Sequence, residues 1–315
     1  MNTSPLFESA AHPVALTPGG DASVAGLCVY LRDKQAEMRQ LMLDHGGILL
    51  RGFDVAGAEE FNACVNALGG QALDYAGGNS PRTRVSGDIF TSTEYPATET
   101  ISLHNEMSYL PTWPRRLFFY SQIPAATGGQ TSLASSVDLL HSLPDHIVKT
   151  FQDRQLNYVR NFPANVKLGK TWQVTYGTAD RDEAEQLIRQ QGSDCVWGSN
   201  GDLKVTTRCD ALAVHPDTGT EAWFNQAEQW HPSALHPELR KLFESRNMLV
   251  HHCEHGDGSP LDEAMLGTIR QHANQNKLLF DWKKGDVLMI DNILMMHGRE
   301  AFTGARKTLA YLSGT

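Results

Sequence analysis

Two spacings of apolar residues divide the chain. From Val24 to Asp44 they fall at Leu27, Tyr30, Leu31, Met38, Leu41 and Met42, a helical period that Gly46-Gly47 ends. Ile48-Leu49-Leu50 reads as a short buried strand closing at Arg51-Gly52, and Ala58 to Leu68 as an amphipathic helix stopped by Gly69-Gly70. Residues 74–100, rich in Gly, Ser, Thr and Pro, predict a loop region with short strands. After Ile101 strand-like runs dominate: Leu117 to Gln122, Gln130 to Ala134, Trp172 to Tyr176, Leu203 to Thr207 and Ala222 to Asn225. Helical runs interrupt them at Leu143 to Arg154, Arg181 to Gln191 and Pro237 to Arg246. Pro260 to Asn274 carries the fullest start signal, with Ser259 as N-cap, Pro260 in the first turn and Asp262 three residues past the cap. Two strands joined by a turn finish the chain: Asp286 to Ile290 leads towards His297, and Lys307 to Leu312 follows Gly304.

Many short strands with helices inserted irregularly predict a mainly β, α+β architecture, a β-sandwich or jelly roll. The expected organisation is one domain, 1–315, with a helical lead-in at 1–46 and helical insertions at 178–192 and 236–274. No Gly-x-Gly-x-x-Gly follows a first strand and no P-loop occurs, so nucleotide chemistry has no support. No internal repeat points to a solenoid or propeller.

Composition narrows the function. Hydrophobic residues make up 41% of the 315 and charged residues 20%, enough for a large core. A formal charge of −9 argues against nucleic acid or an anionic membrane as partner. The densest apolar stretch, Val287 to Met296, is broken by Asp291 and Asn292, and the N-terminus has neither a basic start nor an apolar block. Cys28, Cys64, Cys195, Cys209 and Cys253 are odd in number and form no Cys-x-x-Cys, which reads as free thiols in a reducing cytoplasm.

Thirteen histidines direct attention to metal ligation. A His two residues before an acid can put both side chains on one face of a strand. With 36 acids in the chain that pattern is cheap, and it occurs five times, at His104/Glu106, His215/Asp217, His236/Glu238, His252/Glu254 and His255/Asp257. His215-Pro-Asp-Thr-Gly reads as a turn and His236-Pro-Glu as a helix start. The run from His251 to Asp257 is a solvated loop or, less favoured, a second metal site. His104-Asn-Glu106 follows an apolar strand start, Ile101-Ser-Leu103. Near the C-terminus His297 ends a very apolar strand, with Arg306 nine residues on. In a hairpin their side chains would face one interior, where Arg306 needs an anion: a small dicarboxylate or an internal acid such as Asp291.

His104-x-Glu106, the long gap, His297 and Arg306 together resemble the two-His-one-carboxylate pattern of Fe(II)/2-oxoglutarate dioxygenases. Gly47-Ile-Leu-Leu-Arg-Gly-Phe53 is similar to the early strand of the taurine dioxygenase-like (TauD/TfdA) branch, and Gly128-Gly-Gln-Thr131 to its Gly-Gly-Asp-Thr. Trp223-Phe-Asn-Gln226, Gly256-Asp-Gly-Ser259 and His297-Gly-Arg-x-x-Phe-x-Gly-x-Arg306 resemble the amino-acid hydroxylases of nonribosomal peptide pathways, such as the syringomycin aspartyl hydroxylase. The resemblance runs from about residue 47 to 313 and implies a double-stranded β-helix with iron between its sheets. It implies His104, Glu106 and His297 as ligands of Fe(II), and Arg306 with Thr131 as the 2-oxoglutarate carboxylate site. The reaction it implies consumes O2, releases succinate and CO2, and hydroxylates an unactivated C–H bond of a free or carrier-bound amino acid. Desaturation, cyclisation and sulfonate-type catabolism remain open on the same centre. A cupin-like enzyme without 2-oxoglutarate and a non-catalytic binding protein are the readings from other classes. A carrier protein and a second copy of the chain are the macromolecular partners admitted. Arg299, Arg82, Arg84, Asn225 and Gln226 are the candidates for touching substrate, while Asn105, Met289, Met295 and Met296 read as structural.

Overall fold

The computed structural model describes every residue except 8–9, 74–81, 94, 165–168, 246–248 and 315. Part of the expected 74–100 loop, including Ser80 and Pro81 ahead of Arg82, therefore lies outside the described residues, as does the end expected at Arg246. In chain order the first strands are β1 Asn2–Phe7, β2 Ala10–Thr17, β3 Gly47–Leu50, β4 Arg84–Ser86, β5 Ile89–Thr91, β6 Ile101–His104 and β7 Arg116–Ile123. Next come β8 Thr127–Gly128, β9 Thr131–Ser135, β10 Leu156–Phe162, β11 Ser193–Trp197, β12 Leu203–Cys209, β13 Leu212–Val214 and β14 Glu221–Trp223. The last are β15 His251–His255, β16 Leu278–Phe280, β17 Val287–Asp291, β18 Met295–Arg299, β19 Phe302–Thr303 and β20 Lys307–Ser313. The helices are α1 Val24–Asp33, α2 Gln35–His45, α3 Ala58–Ala67, α4 Ser136–Ser142 and α5 Asp145–Arg154. They continue with α6 Trp172–Tyr176, α7 Arg181–Gln190, α8 Ala227–Trp230, α9 Pro237–Ser245 and α10 Glu263–Gln275.

An eight-stranded sheet in the order β1-β2-β3-β17-β7-β20-β5-β4 faces a four-stranded one in the order β16-β9-β18-β6. The large sheet is covered on both sides, which explains the unbroken apolar runs of its central strands. In β7, Leu117 and Phe119 join the core between the sheets, while Phe118 and Tyr120 join a second core under the helices α1 to α3. Met289 belongs to the helix-side core and Met295 and Met296 to the inter-sheet core, so all three are packing residues as expected. Gly46 ends α2 in the left-handed region at φ 63°, and a Cβ there would lie 2.6 Å from Met295 Cγ.

Several expectations change. In the supposed helical lead-in, Asn2–Phe7 and Ala10–Thr17 are strands, β1 paired with β2 and β2 running parallel to β3. Pro5 and Pro13 hid them, because proline removes a ladder donor and suits edge positions. The helix expected from Val24 to Asp44 breaks at Lys34, since α1 packs on α3 whereas α2 packs on β2 and β3. Trp172 to Tyr176 is helical rather than extended: Thr171 caps it, Gly177 ends it, and Trp172 and Tyr176, four apart, bury on one side. The cap of α10 is Asp262, not Ser259. The run His251 to His255 is a strand, not a loop, and completes a third sheet, β11-β12-β10-β15. Finally, β18 and β20 are no hairpin. Strand β18 pairs with β9 and β6, whereas β20 pairs with β7 and β5, so the chain crosses between sheets after His297.

Arg51, just past β3, forks onto Asp286 at the start of β17, with Nη2 2.6 Å from Oδ2 and Nε 3.1 Å from Oδ1. Asp286 is 1% exposed. Arg51→Met leaves that carboxylate buried with the Lys283 N–H as its remaining donor. The substitution should cost about 3 kcal/mol of stability by urea unfolding, as for breaking one partner of a buried pair.

Candidate metal centre and its surroundings

His104 ends β6 and lies in register opposite His297 on β18, with ring centroids 4.3 Å apart. Phe119 of the large sheet lies 5.3 Å under the His297 ring, which places the pair between the sheets. Strand alternation was expected to carry Glu106 to the same face, but the strand stops at His104 and Glu106 opens a turn. That turn needs Met107 at φ 57°, an uncommon conformation for a non-glycine residue. Asn292 holds it: Oδ1 accepts from Glu106 N at 2.7 Å, and Nδ2 donates to Glu106 O at 3.0 Å and Pro114 O at 2.8 Å. Asn105 points away, donating to Ser136 Oγ and Asn292 O, and is structural as expected. One ligand atom each from His104, Glu106 and His297 lie within 4.8 Å of one another, all buried. Among the described residues this is the one such cluster of three.

The His104 imidazole is held in a form that can bind a cation. His104 Nδ1 lies 2.8 Å from Ser102 O, and a carbonyl only accepts, so the proton sits on Nδ1 and the Nε2 lone pair is left for an ion. Gln229 Nε2 donates to the same carbonyl at 3.0 Å and lies 3.2 Å from the His104 ring nitrogen. Glu228 accepts from Ser102 Oγ and from Arg270 Nε, tying the strand to α8 and α10. Burial lowers the pKa of His104 despite the opposing charge of Glu106, and burial with the neighbouring His104 and Arg82 charges holds His297 well below its usual value. Neutral imidazole nitrogens plus one carboxylate oxygen, shielded from water, fit a divalent ion of the Fe(II) type. Asn292, Gln229 and Glu228 were missed from the sequence; Asn292 had shown only as a break in an apolar run.

The other candidates separate clearly. Arg82 Nη2 donates to Glu106 Oε2 at 2.7 Å, inside the centre. Thr131 is buried, and its hydroxyl oxygen accepts from Trp282 Nε1 at 2.9 Å. Arg306 is half-buried, its Nε 3.3 Å from Gly129 O and its guanidinium 5.6 Å from the Phe302 ring. Burial, with help from Arg299, brings its pKa down to about 10. Among the described residues no carboxylate pairs with it, and the internal acid considered for it, Asp291, is taken by His215 Nε2 at 3.1 Å and two backbone amides. Arg299 is no surface residue: its guanidinium donates to the carbonyls of Tyr95, Pro96 and Glu99, so it straps that segment to β18. Arg84 is exposed on β4 against Phe90. Asn225 is spent on Ala211 O and Ala227 N, whereas Gln226 keeps its buried amide oxygen unpaired.

The competing histidines fall into place. His215 does precede a turn, but it is fully buried against Asp291. His236 directly precedes α9, as expected. Along β15, His251 packs on Trp230 and His255 on Phe151, while His252 lies 3.8 Å from Glu254. Gly256-Asp-Gly-Ser259 is a turn, with Asp257 accepting from Ser259 N.

Comparison with known proteins bears on this geometry. The family model described as taurine catabolism dioxygenase TauD, TfdA family matches residues 13–312. The dapdiamide synthesis protein DdaC of Enterobacter agglomerans is 30% identical over 309 residues, covering 97% of this chain and 92% of that protein. A clavaminate synthase-like protein of Arabidopsis thaliana is 28% identical over 324 residues, covering 97% and 94%. PvcB from Pseudomonas aeruginosa superposes with a TM-score of 0.59 at 17% identity, covering 99% of this chain and 90% of that one. AAD-2 in complex with Mn(II) and N-oxalylglycine gives 0.58 at 15%, covering 100% and 97%. These structures share the fold.

Two outcomes are expected. Asn292→Ala removes the three hydrogen bonds that hold the Glu106 turn and should weaken Mn(II) binding by about tenfold or more, read by calorimetry, while costing about 3 kcal/mol of stability. The imidazoles of buried His104 and His297 and of half-buried His251, the last lowered to about 4, take up protons less readily folded than unfolded. Their contribution to stability is thus complete above the unfolded value near about 6.5 and is lost as pH falls from there towards 4. The urea midpoint should be lower at pH 5 than at pH 7.5, and equal midpoints would contradict this.

Proposed function

Because this chain belongs to the taurine catabolism dioxygenase TauD, TfdA family and is an Fe(II)- and 2-oxoglutarate-dependent dioxygenase, we propose that it hydroxylates a small polar substrate, a free or carrier-bound amino acid, in natural-product biosynthesis. The observation that carries the reading is the buried cluster of His104, Glu106 and His297; a half-buried arginine, Arg306, lies against Gly129 and Phe302. Among relatives, DdaC is a dapdiamide synthesis protein, and a second structure of PvcB is described as an Fe, alpha-ketoglutarate dependent oxygenase from an isonitrile synthetic pathway. Both support a biosynthetic role over a catabolic one.

His104, Glu106 and His297 would hold the iron, leaving coordination positions open for 2-oxoglutarate and O2. When bound, iron and 2-oxoglutarate would supply the oxidation, one oxygen atom of O2 going to the substrate as hydroxyl and the other into succinate, with loss of CO2. The chain's own part is to bind, orient and exclude water. Arg306 offers a planar fork to the far carboxylate of 2-oxoglutarate. Thr131 accepts from the Trp282 indole, so its own O–H is left to donate to the same carboxylate. Ser102 and Gln229 keep His104 in its binding tautomer, and Asn292 keeps Glu106 aimed inward. Gln226, whose buried amide oxygen has no hydrogen-bond partner among the described residues, is the group we assign to an amino acid's amine, and Arg82 holds Glu106. Arg299, Arg84 and Asn225 act elsewhere, as a strap, an edge residue and a helix brace.

The test is an anaerobic titration of the chelator-treated protein with Fe(II) and then 2-oxoglutarate, watching for the weak visible metal-to-ligand charge-transfer band. The band should appear for the wild type and for His236→Ala, and be absent from His104→Ala and His297→Ala. Arg306→Gln should still bind Fe(II) but require about a hundredfold more 2-oxoglutarate, the scale of losing one partner of a buried charge pair. Unchanged 2-oxoglutarate dependence would sink the Arg306 assignment, and iron binding without the band would favour a cupin-like enzyme. With the band in hand, succinate release is screened against free amino acids, their carrier-bound forms and sulfonates.

A further inference from the structure

Glu106 faces two cations at one atom. Its Oε2 accepts from Arg82 Nη2 at 2.7 Å, and the two side chains are 2% and 3% exposed. The same oxygen lies 3.8 Å from His297 Nε2. A divalent ion held by His297 Nε2 and Glu106 Oε2 would take the carboxylate oxygen on which Arg82 now donates.

Resting on the metal-centre reading above, we infer that Arg82 and the divalent ion compete for Glu106: the guanidinium is a built-in counter-charge that the incoming ion must push off Oε2. A carboxylate sealed from water needs a partner, and an unpaired one is expensive. Arg82 supplies that partner by a charge-assisted hydrogen bond, which lets the fold bury Glu106 and pre-form the turn behind it. Once a doubly charged ion binds the same oxygen, the guanidinium meets like charge in a poorly screening interior, and the single negative charge of Glu106 cannot offset both. The triad is held by β6, β18 and Asn292, so it is the arginine, on its long flexible stem, that gives way. Arg82 is a positioning residue here, acting on the centre through Glu106. Metal affinity is then lower than the three ligands alone would provide, because loading includes breaking a buried ion pair.

The test is equilibrium binding of Mn(II) alone to the chelator-treated full chain, with free Mn(II) read by its electron paramagnetic resonance signal. Arg82→Gln removes the competitor and should bind Mn(II) about tenfold more tightly or better, with a larger Mn(II)-induced rise in Tm than the wild type. Arg82→Lys keeps the charge and should stay near the wild-type affinity. Arg82→Met is the second neutral variant should the glutamine form fail to fold, and the same tightening is expected of it. Equal or weaker binding by the neutral variants would overturn the inference, showing that Arg82 supports the loaded centre or does not touch it. Tightening in Arg82→Lys as large as in Arg82→Gln would overturn it too, since charge would not be the cause. Absence of Mn(II) binding by the wild type itself would instead overturn the metal-centre reading on which the inference rests.

Discussion

The close antiparallel approach of β6 and β18 is the constraint on which the rest of the molecule turns. It brings His104 and His297 ring to ring, and it is possible only because residue 298 has no side chain. A Cβ on Gly298 would lie 2.5 Å from Ile101 O and 2.6 Å from Ser132 Oγ. Any other residue would force apart the three strands β6, β18 and β9, and with them the two imidazoles. Asn292, in the short link between β17 and β18, then fastens the turn that carries Glu106. The small sheet and the crossing point of the chain are thus tied to the same few atoms as the candidate centre.

Among the described residues several buried charges are answered by a partner, and half-buried Arg306 is not answered by a carboxylate. Asp286 is answered by Arg51, Asp291 by His215, Glu106 by Arg82, and Arg299 by three carbonyls. Arg306, half-buried against Phe302 and Gly129, meets only a carbonyl among the described residues. Such an arginine is costly unless an anion arrives, and its nearness in sequence to Phe302 and in space to Gly129, two residues before Thr131, is what gives the 2-oxoglutarate reading its physical basis. The middle of the chain contributes differently. The third sheet and α7 form a core of their own, yet α8 and α10 reach back through Glu228, Gln229 and Arg270 to the strand that ends at His104.

Much of this was legible from residue order because local chemistry decided it. The alternation and apolar density of Leu117 to Gln122, Val287 to Ile290 and Lys307 to Leu312 made strands whatever surrounded them, and the glycines after α2 and α3 ended helices in any context. The spacing His104-x-Glu106 did not by itself single out the cluster of three among five similar pairs: flanking prolines and glycines marked two of them as a turn and a helix start, and the resemblance to the dioxygenase pattern, with His297 and Arg306, named the triad. What remained hidden depended on atoms far apart in the chain. No local signal distinguishes an Asn that caps a turn 186 residues away, as Asn292 does for Glu106, from one that breaks a strand. The role of Arg299 was decided by three carbonyls some 200 residues earlier, and that of Arg82 by a carboxylate whose burial only the closed sandwich creates. Residue order settled many of the strands and helices and limited which side chains could bind a metal, because short-range backbone preference and donor chemistry decide those. Which charges meet was settled by the closed fold alone, because electrostatic pairing in a poorly polarisable interior depends on distances of a few ångströms that chain order does not encode.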